Sequence, residues 1–155
     1  MAVRFCVKGD EYMSKLTLNT GVKTYDIEDE NGKMLGTISI YPNDFNIGKR
    51  AMEVQKKIVE YITSAEQIAV ENDESAIEQI TEIDNKIKEQ LDYLFNSDVS
   101  KTVFSGLHCL NVTEDGRYFI ERFLEMIMPV INSELDKSLK ASQKRVNKYT
   151  SQVSR

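Results

Sequence analysis

At 155 residues, with 41% hydrophobic and 29% charged side chains, the chain is of single-domain size and can bury a core of its own. A net charge of −5 argues against a general nucleic-acid binder, whose surface would be basic. No apolar run approaches the roughly 18 residues of a membrane span, and the opening lacks the apolar stretch of a signal peptide, so a cytoplasmic protein with two reduced thiols, Cys6 and Cys109, is expected.

The first 42 residues read as β. Val3, Phe5 and Val7 alternate with Arg4 and Cys6, the period of a half-buried strand. Leu16-Thr17-Leu18 alternates likewise, with turn residues at Gly9-Asp10 and over 19–21. Over 22–41, Tyr25 and Ile27 alternate, Glu30-Asn31-Gly32 turns the chain, and Leu35, Ile38 and Ile40 follow. Asn-Gly between two such runs predicts a hairpin closed by a type I′ turn. A sheet of about two to four strands is too small to stand alone, so a helix must cover one face.

Beyond Pro42, Asn43 or Asp44 can cap a helix, and Gly48 moves its expected start toward Lys49. Met52, Ile58, Val59, Ile62, Ala65 and Ala69 supply its apolar stripe, and Glu53 and Lys57 an i, i+4 ion pair. Asn72-Asp73 predicts a turn. A second helix from 74 to about 95 then carries Ile77, Ile80, Ile83, Ile87, Leu91 and Leu94, close to a coiled-coil seam. The short connection folds it antiparallel onto the first.

Asn96-Ser97-Asp98 ends that helix. Ser97 or Asp98 then caps a short one with Val99, Val103 and Phe104, closed by Gly106. After a loop over 107–116, Glu114 or Asp115 is expected to cap the last long helix, whose apolar residues run from Tyr118 and Phe119 to Leu135. Pro129 lies inside that run and predicts a kink near Glu125 or a break. Past Leu139 only Val146 and Tyr149 are large and apolar in the stripe, so the end should fray. The expected fold is α+β: a small N-terminal antiparallel sheet or hairpin, then a mainly α-helical bundle. One domain is expected over 1–155, β-rich over 1–42, helical over 43–149 and frayed over 150–155.

Little in the chain points to chemistry. His108-Cys109 could suggest a base beside a nucleophile, but adjacent residues rarely aim at each other and there is no second histidine. One His and two scattered Cys lack zinc-ligand spacing. Glu78, Glu82 and Glu89 recur at helical spacing without a Glu-x-x-His partner, as a solvated face would. The glycines form no phosphate-cradling loop. No catalytic residue, metal ligand or cofactor is therefore expected. Charge, however, is unevenly spread. Acids outnumber bases over 44–92, whereas Lys137, Lys140, Lys144, Arg145, Lys148 and Arg155 have no acid among them. An acidic middle and a basic tail can attract each other, within one chain or between neighbouring copies.

Three segments carry a resemblance: Asp92, Leu94 and Phe95 with Phe104 and Gly106; Phe123, Leu124, Glu125, Ile127, Pro129 and Ile131; and Lys148 with Tyr149. In this order the chain resembles the tail assembly chaperones of long-tailed (siphovirus-type) bacteriophages of Gram-positive hosts, over most of 25–149. It departs from them at Ser105, which separates Phe104 from Gly106, and in a longer segment before Thr24. The resemblance implies a non-enzymatic factor of the bacterial host cytoplasm, absent from the mature virion and often made also as a longer frameshifted product. It implies as partners the tape-measure protein and the tail-tube protein. The opposite charges of middle and tail would also suit head-to-tail association with further copies of the chain, and from the bulk charge and hydropathy no nucleic acid and no membrane are expected. A small virion structural or adaptor protein, such as a tail-completion factor, is the alternative. Ile127 and Ile131 read first as core and the basic tail first as a solvated face; if the last helix instead offers a groove, Phe123, Ile127 and Ile131 would contact the client, and Lys144, Arg145 and Lys148 would dock an acidic partner or an acidic patch on a sister copy.

Overall fold

The structure, a computed structural model, describes residues 14–153. The strand expected over 3–7 and its Gly9-Asp10 turn lie outside them. Leu16 and Leu18 do not form the expected strand: residues 14–22 are irregular, and both leucines stand in solvent. Alternation over three residues is too short a signal to secure pairing.

Strands β1 (Lys23–Glu28) and β2 (Met34–Ile40) pair antiparallel, with Tyr25 opposite Ile38 and Ile27 opposite Gly36. Tyr25, Ile27, Ile38 and Ile40 share the inner face, as the two-residue period requires. The turn is not type I′. Asn31 keeps negative φ and only Gly32, at φ +80°, is left-handed. Gly32 N–H donates to the Asp29 carbonyl, and Asp29 N–H donates to that of Lys33. This is the three-residue loop in which a type I turn is followed by a left-handed glycine. The Asp29 carboxylate selects it by accepting from the Asn31 and Lys33 N–H groups, both at 2.9 Å.

Helix α1 (Phe45–Glu71) starts earlier than Gly48 suggests, because Asp44 accepts from Asn46 N–H at 2.9 Å. Gly48 lies inside its first turns, where a Cβ would come within 2.9 Å of Leu135. Its buried stripe is Ile47, Ala51, Val54, Ile58 and Ala65. Met52 and Val59, assigned to that stripe from sequence, are exposed, as is Ala69. Glu53 faces Tyr93, whose hydroxyl donates to it at 3.3 Å, and forms no pair with Lys57. The helix ends at Asn72 in the left-handed region, and Asp73 accepts from Glu74 N–H.

Helix α2 (Ala76–Phe95) returns antiparallel: Arg50 Nε donates to the Leu94 carbonyl at 3.1 Å, joining the start of one helix to the end of the other. Ile77 is exposed and Ala76 takes the buried place. Asn96, at φ 52°, stops α2 as the sequence indicates. Asp98 sits at the N-cap of α3 (Val99–Phe104), but its side chain makes no capping hydrogen bond. Asp92, still on α2, accepts from Ser100 N–H at 2.7 Å and from its hydroxyl at 2.9 Å. One carboxylate thus spans the break and holds the angle between two helices. The hairpin presses on α3 through Gly36, at φ +153°, where a Cβ would lie 2.7 Å from Thr102.

Helix α4 (Phe119–Val153) is continuous. Neither Glu114 nor Asp115 caps it. Phe119 and Ile120 N–H donate to the Asn111 and Cys109 carbonyls, both at 2.9 Å. Asp115 closes the tight turn before it, accepting from Thr113 Oγ1. Pro129 produces no break: it sits on the exposed side, where the Glu125 carbonyl it leaves without a donor can turn to water. The tail expected to fray over 150–155 is helical as far as Val153.

The fold of the described residues is therefore α+β, a two-stranded hairpin followed by four helices. Hairpin and helices share one buried cluster, with Ile40, Ile58, Leu91, Phe104, Ile120 and Ile131 among its members. Phe95 meets Phe123 and Phe104 meets Phe119 edge to face, at 6.2 and 5.0 Å between centroids.

Candidate functional site

The pair His108-Cys109 leads to a structural hub. Asp84 is the buried carboxylate of α2, one turn along the apolar seam between Ile80 and Ile87. It accepts from Cys109 N–H at 2.8 Å and pairs with Lys88 at 3.0 Å. Burial opposes its ionisation, but hydrogen bonds from Cys109 and Lys88 outweigh that, and its pKa lies below the ordinary value. Leu110 N–H donates to His108 Nδ1 at 3.2 Å, and the same Nδ1 lies 3.6 Å from Asp84. The Cys109 thiol is fully buried, and burial together with the Asp84 carboxylate pushes its pKa far up. A thiol held protonated in this way is a weak nucleophile. These groups anchor the 105–118 loop to α2. Asp84 was not singled out from sequence, though it occupies a seam position where an apolar residue is due.

That anchored loop forms one wall of a groove of about 700 Å³ between the hairpin turn, the end of α3 and the start of α4. Leu35, Val103, Phe104 and Phe119 line its depth. Leu107 and Val112 stand at its lip, 53% and 65% exposed. The rim is acidic: Asp29 and Glu30 from the hairpin, Glu114 and Asp115 from the loop. Arg122, the one base in the lining among the described residues, pairs with Asp115 at 2.9 Å. Hydrogen bonding from Thr113 and the nearby arginines hold Asp115 ionised below the usual carboxylate range. Glu30 and Glu114 have no ion-pair partner among the described residues. The groove draws on three segments that only folding brings together, and Leu107 and Val112 carried no sequence signal beyond being apolar in a loop.

The residues proposed from sequence as partner contacts divide into two groups. Phe123, Ile127 and Ile131 are at most 3% exposed and belong to the core, so they are not a binding face in this fold. The reason is that α1, α2 and α3 cover the first half of α4, leaving no open groove there. Lys144, Arg145 and Lys148 lie on the opposite end of α4, where every side chain described over 139–152 is exposed. Leu139, Val146 and Tyr149 form an apolar line on this projecting arm, and Arg145 lies over the Tyr149 ring at 6.0 Å.

Glu78, Glu82 and Glu89 are exposed, and no group of three or more potential metal ligands occurs among the described residues. No helix among the described residues is long and apolar enough to cross a membrane. Compared with protein-family models, curated proteins and solved structures, the chain matches none.

Proposed function

We propose that the chain is a non-enzymatic assembly factor that takes amphipathic helical segments of a tape-measure protein into the groove beside α3, keeping them soluble while tail-tube subunits assemble in the host cytoplasm. The observation that carries this reading is the groove itself: an apolar floor, exposed Leu107 and Val112 at its lip, and an acidic rim. Such a surface suits a helix with one apolar face flanked by lysines or arginines. The resemblance to tail assembly chaperones supplies the identity of the client.

The test is co-expression with a tape-measure protein encoded beside the gene. The expected result is that the client becomes soluble and co-purifies, and that Leu107→Asp/Val112→Asp abolishes this while the circular dichroism spectrum is retained. Both positions are exposed, so the double variant should fold. Undiminished capture by the variant would place the client elsewhere. Retention of the chain in purified particles would instead favour a virion adaptor.

A further inference from the structure

The two unpartnered surfaces lie at opposite ends of one helix. The groove is lined by Phe119 and Arg122 at the start of α4, and the exposed arm begins at Leu139. Along an unbroken helix Arg122 and Lys140 are about 27 Å apart, at 1.5 Å per residue. The arm therefore cannot turn back into the groove of its own chain.

The two surfaces are nevertheless complementary. Between Leu139 and Val153 the arm has Lys140, Lys144, Arg145 and Lys148 and no acid. Lys140 is paired with Asp136 at 3.0 Å, whereas Lys144, Arg145 and Lys148 form no ion pair among the described residues. The groove rim offers Glu30 and Glu114, also without ion-pair partners there. Leu139, Val146 and Tyr149 are spaced by seven and three residues, which puts them on one face of the arm. They would meet Leu107 and Val112 at the lip and the apolar floor behind them.

We propose that the arm of one copy docks in the groove of the next. Because arm and groove are different surfaces, the contact is heterologous, and each added copy leaves a free arm at one end and a free groove at the other. Copies thus add head to tail instead of closing as a symmetric dimer. The inference rests on the groove as a helix-binding site, as in the proposed function, but not on what the client is; arm and client compete for one groove, so a client enters only a groove that no arm fills.

Sedimentation velocity of the full chain over a concentration series tests it, without any client. The mean mass should rise with concentration beyond a dimer and fall as salt screens the rim. Val146→Asp, an exposed arm position, should weaken association about tenfold or more, since it would put a charge against an apolar floor. Glu30→Lys/Glu114→Lys should do the same from the groove side. Mixed together, these two variants should form a heterodimer that grows no further, because only one intact arm and one intact groove remain. Three results would overturn the proposal: a chain monomeric at all concentrations, a wild type that stops at a dimer, or association lost in Val146→Asp but unaffected by Glu30→Lys/Glu114→Lys. The last would mean that arms pair with arms. Failure of client capture with normal self-association would count against the proposed function alone.

Discussion

Replacing Asp84 probes the hub that holds the groove wall in place. In Asp84→Ala the Cys109 N–H, now donating at 2.8 Å, loses its acceptor inside the core, at a cost of about 1–3 kcal/mol. Lys88 loses its partner as well. Its side chain is 22% exposed and can reach water, so this adds only about 1 kcal/mol, well short of the roughly 3–5 kcal/mol of breaking a fully buried pair. Together the loss should be about 3 kcal/mol. Asp84→Asn keeps an acceptor for Cys109 and removes only the charge, so about 1 kcal/mol is expected. Urea unfolding followed by circular dichroism measures both.

The pH dependence gives a second check. Asp84 has a lower pKa folded than unfolded, so its carboxylate stabilises the fold fully above the unfolded value, near pH 4. That contribution fades as pH falls from there through the folded pKa. The stability gap between wild type and Asp84→Asn should therefore be widest near neutrality and shrink below about pH 4. A gap independent of pH, or an Asp84→Ala variant within about 0.5 kcal/mol of wild type, would refute this account of the hub.

Two further outcomes follow from Asp92 and Cys109. Asp92→Ala removes both hydrogen bonds to Ser100; a loss of about 1–2 kcal/mol is expected, with faster amide exchange in α3 and little change at the far end of the α1–α2 hairpin. Uniformly unchanged exchange would mean that the carboxylate does not hold the break. In a Cys6→Ser background, a thiol reagent should label Cys109 only as fast as the protein opens, with the rate rising in step with urea unfolding. Rapid labelling of the native protein would contradict the buried, protonated thiol.

Local chemistry was legible wherever one short segment decides it. The hairpin, the stop at Asn96, the length of α2 and the order of elements follow from alternation, helical period and turn residues, which act over a few neighbours. Errors arose where two segments compete for the same role. Asp29 changed the turn type that Asn31-Gly32 alone favoured. Asp98 sits at the N-cap of α3 as expected, but the side-chain bonds to its first turn come from Asp92 on the preceding helix. Pro129 did not break α4, and on its exposed side the freed Glu125 carbonyl can turn to water.

For the candidate site the division is sharper. The sequence by itself determined the α+β layout and the basic, sparsely apolar character of the last helical turns, since both are properties of contiguous residues. Only the tertiary structure decided which apolar residues are covered. Phe123, Ile127 and Ile131 are as hydrophobic as any partner contact, and they are core because three helices close over them. Leu107 and Val112 look like ordinary loop residues, and they stand at a groove lip because Asp84 ties their loop to α2 beside the hairpin turn. Burial depends on elements distant in the chain, so no local pattern encodes it.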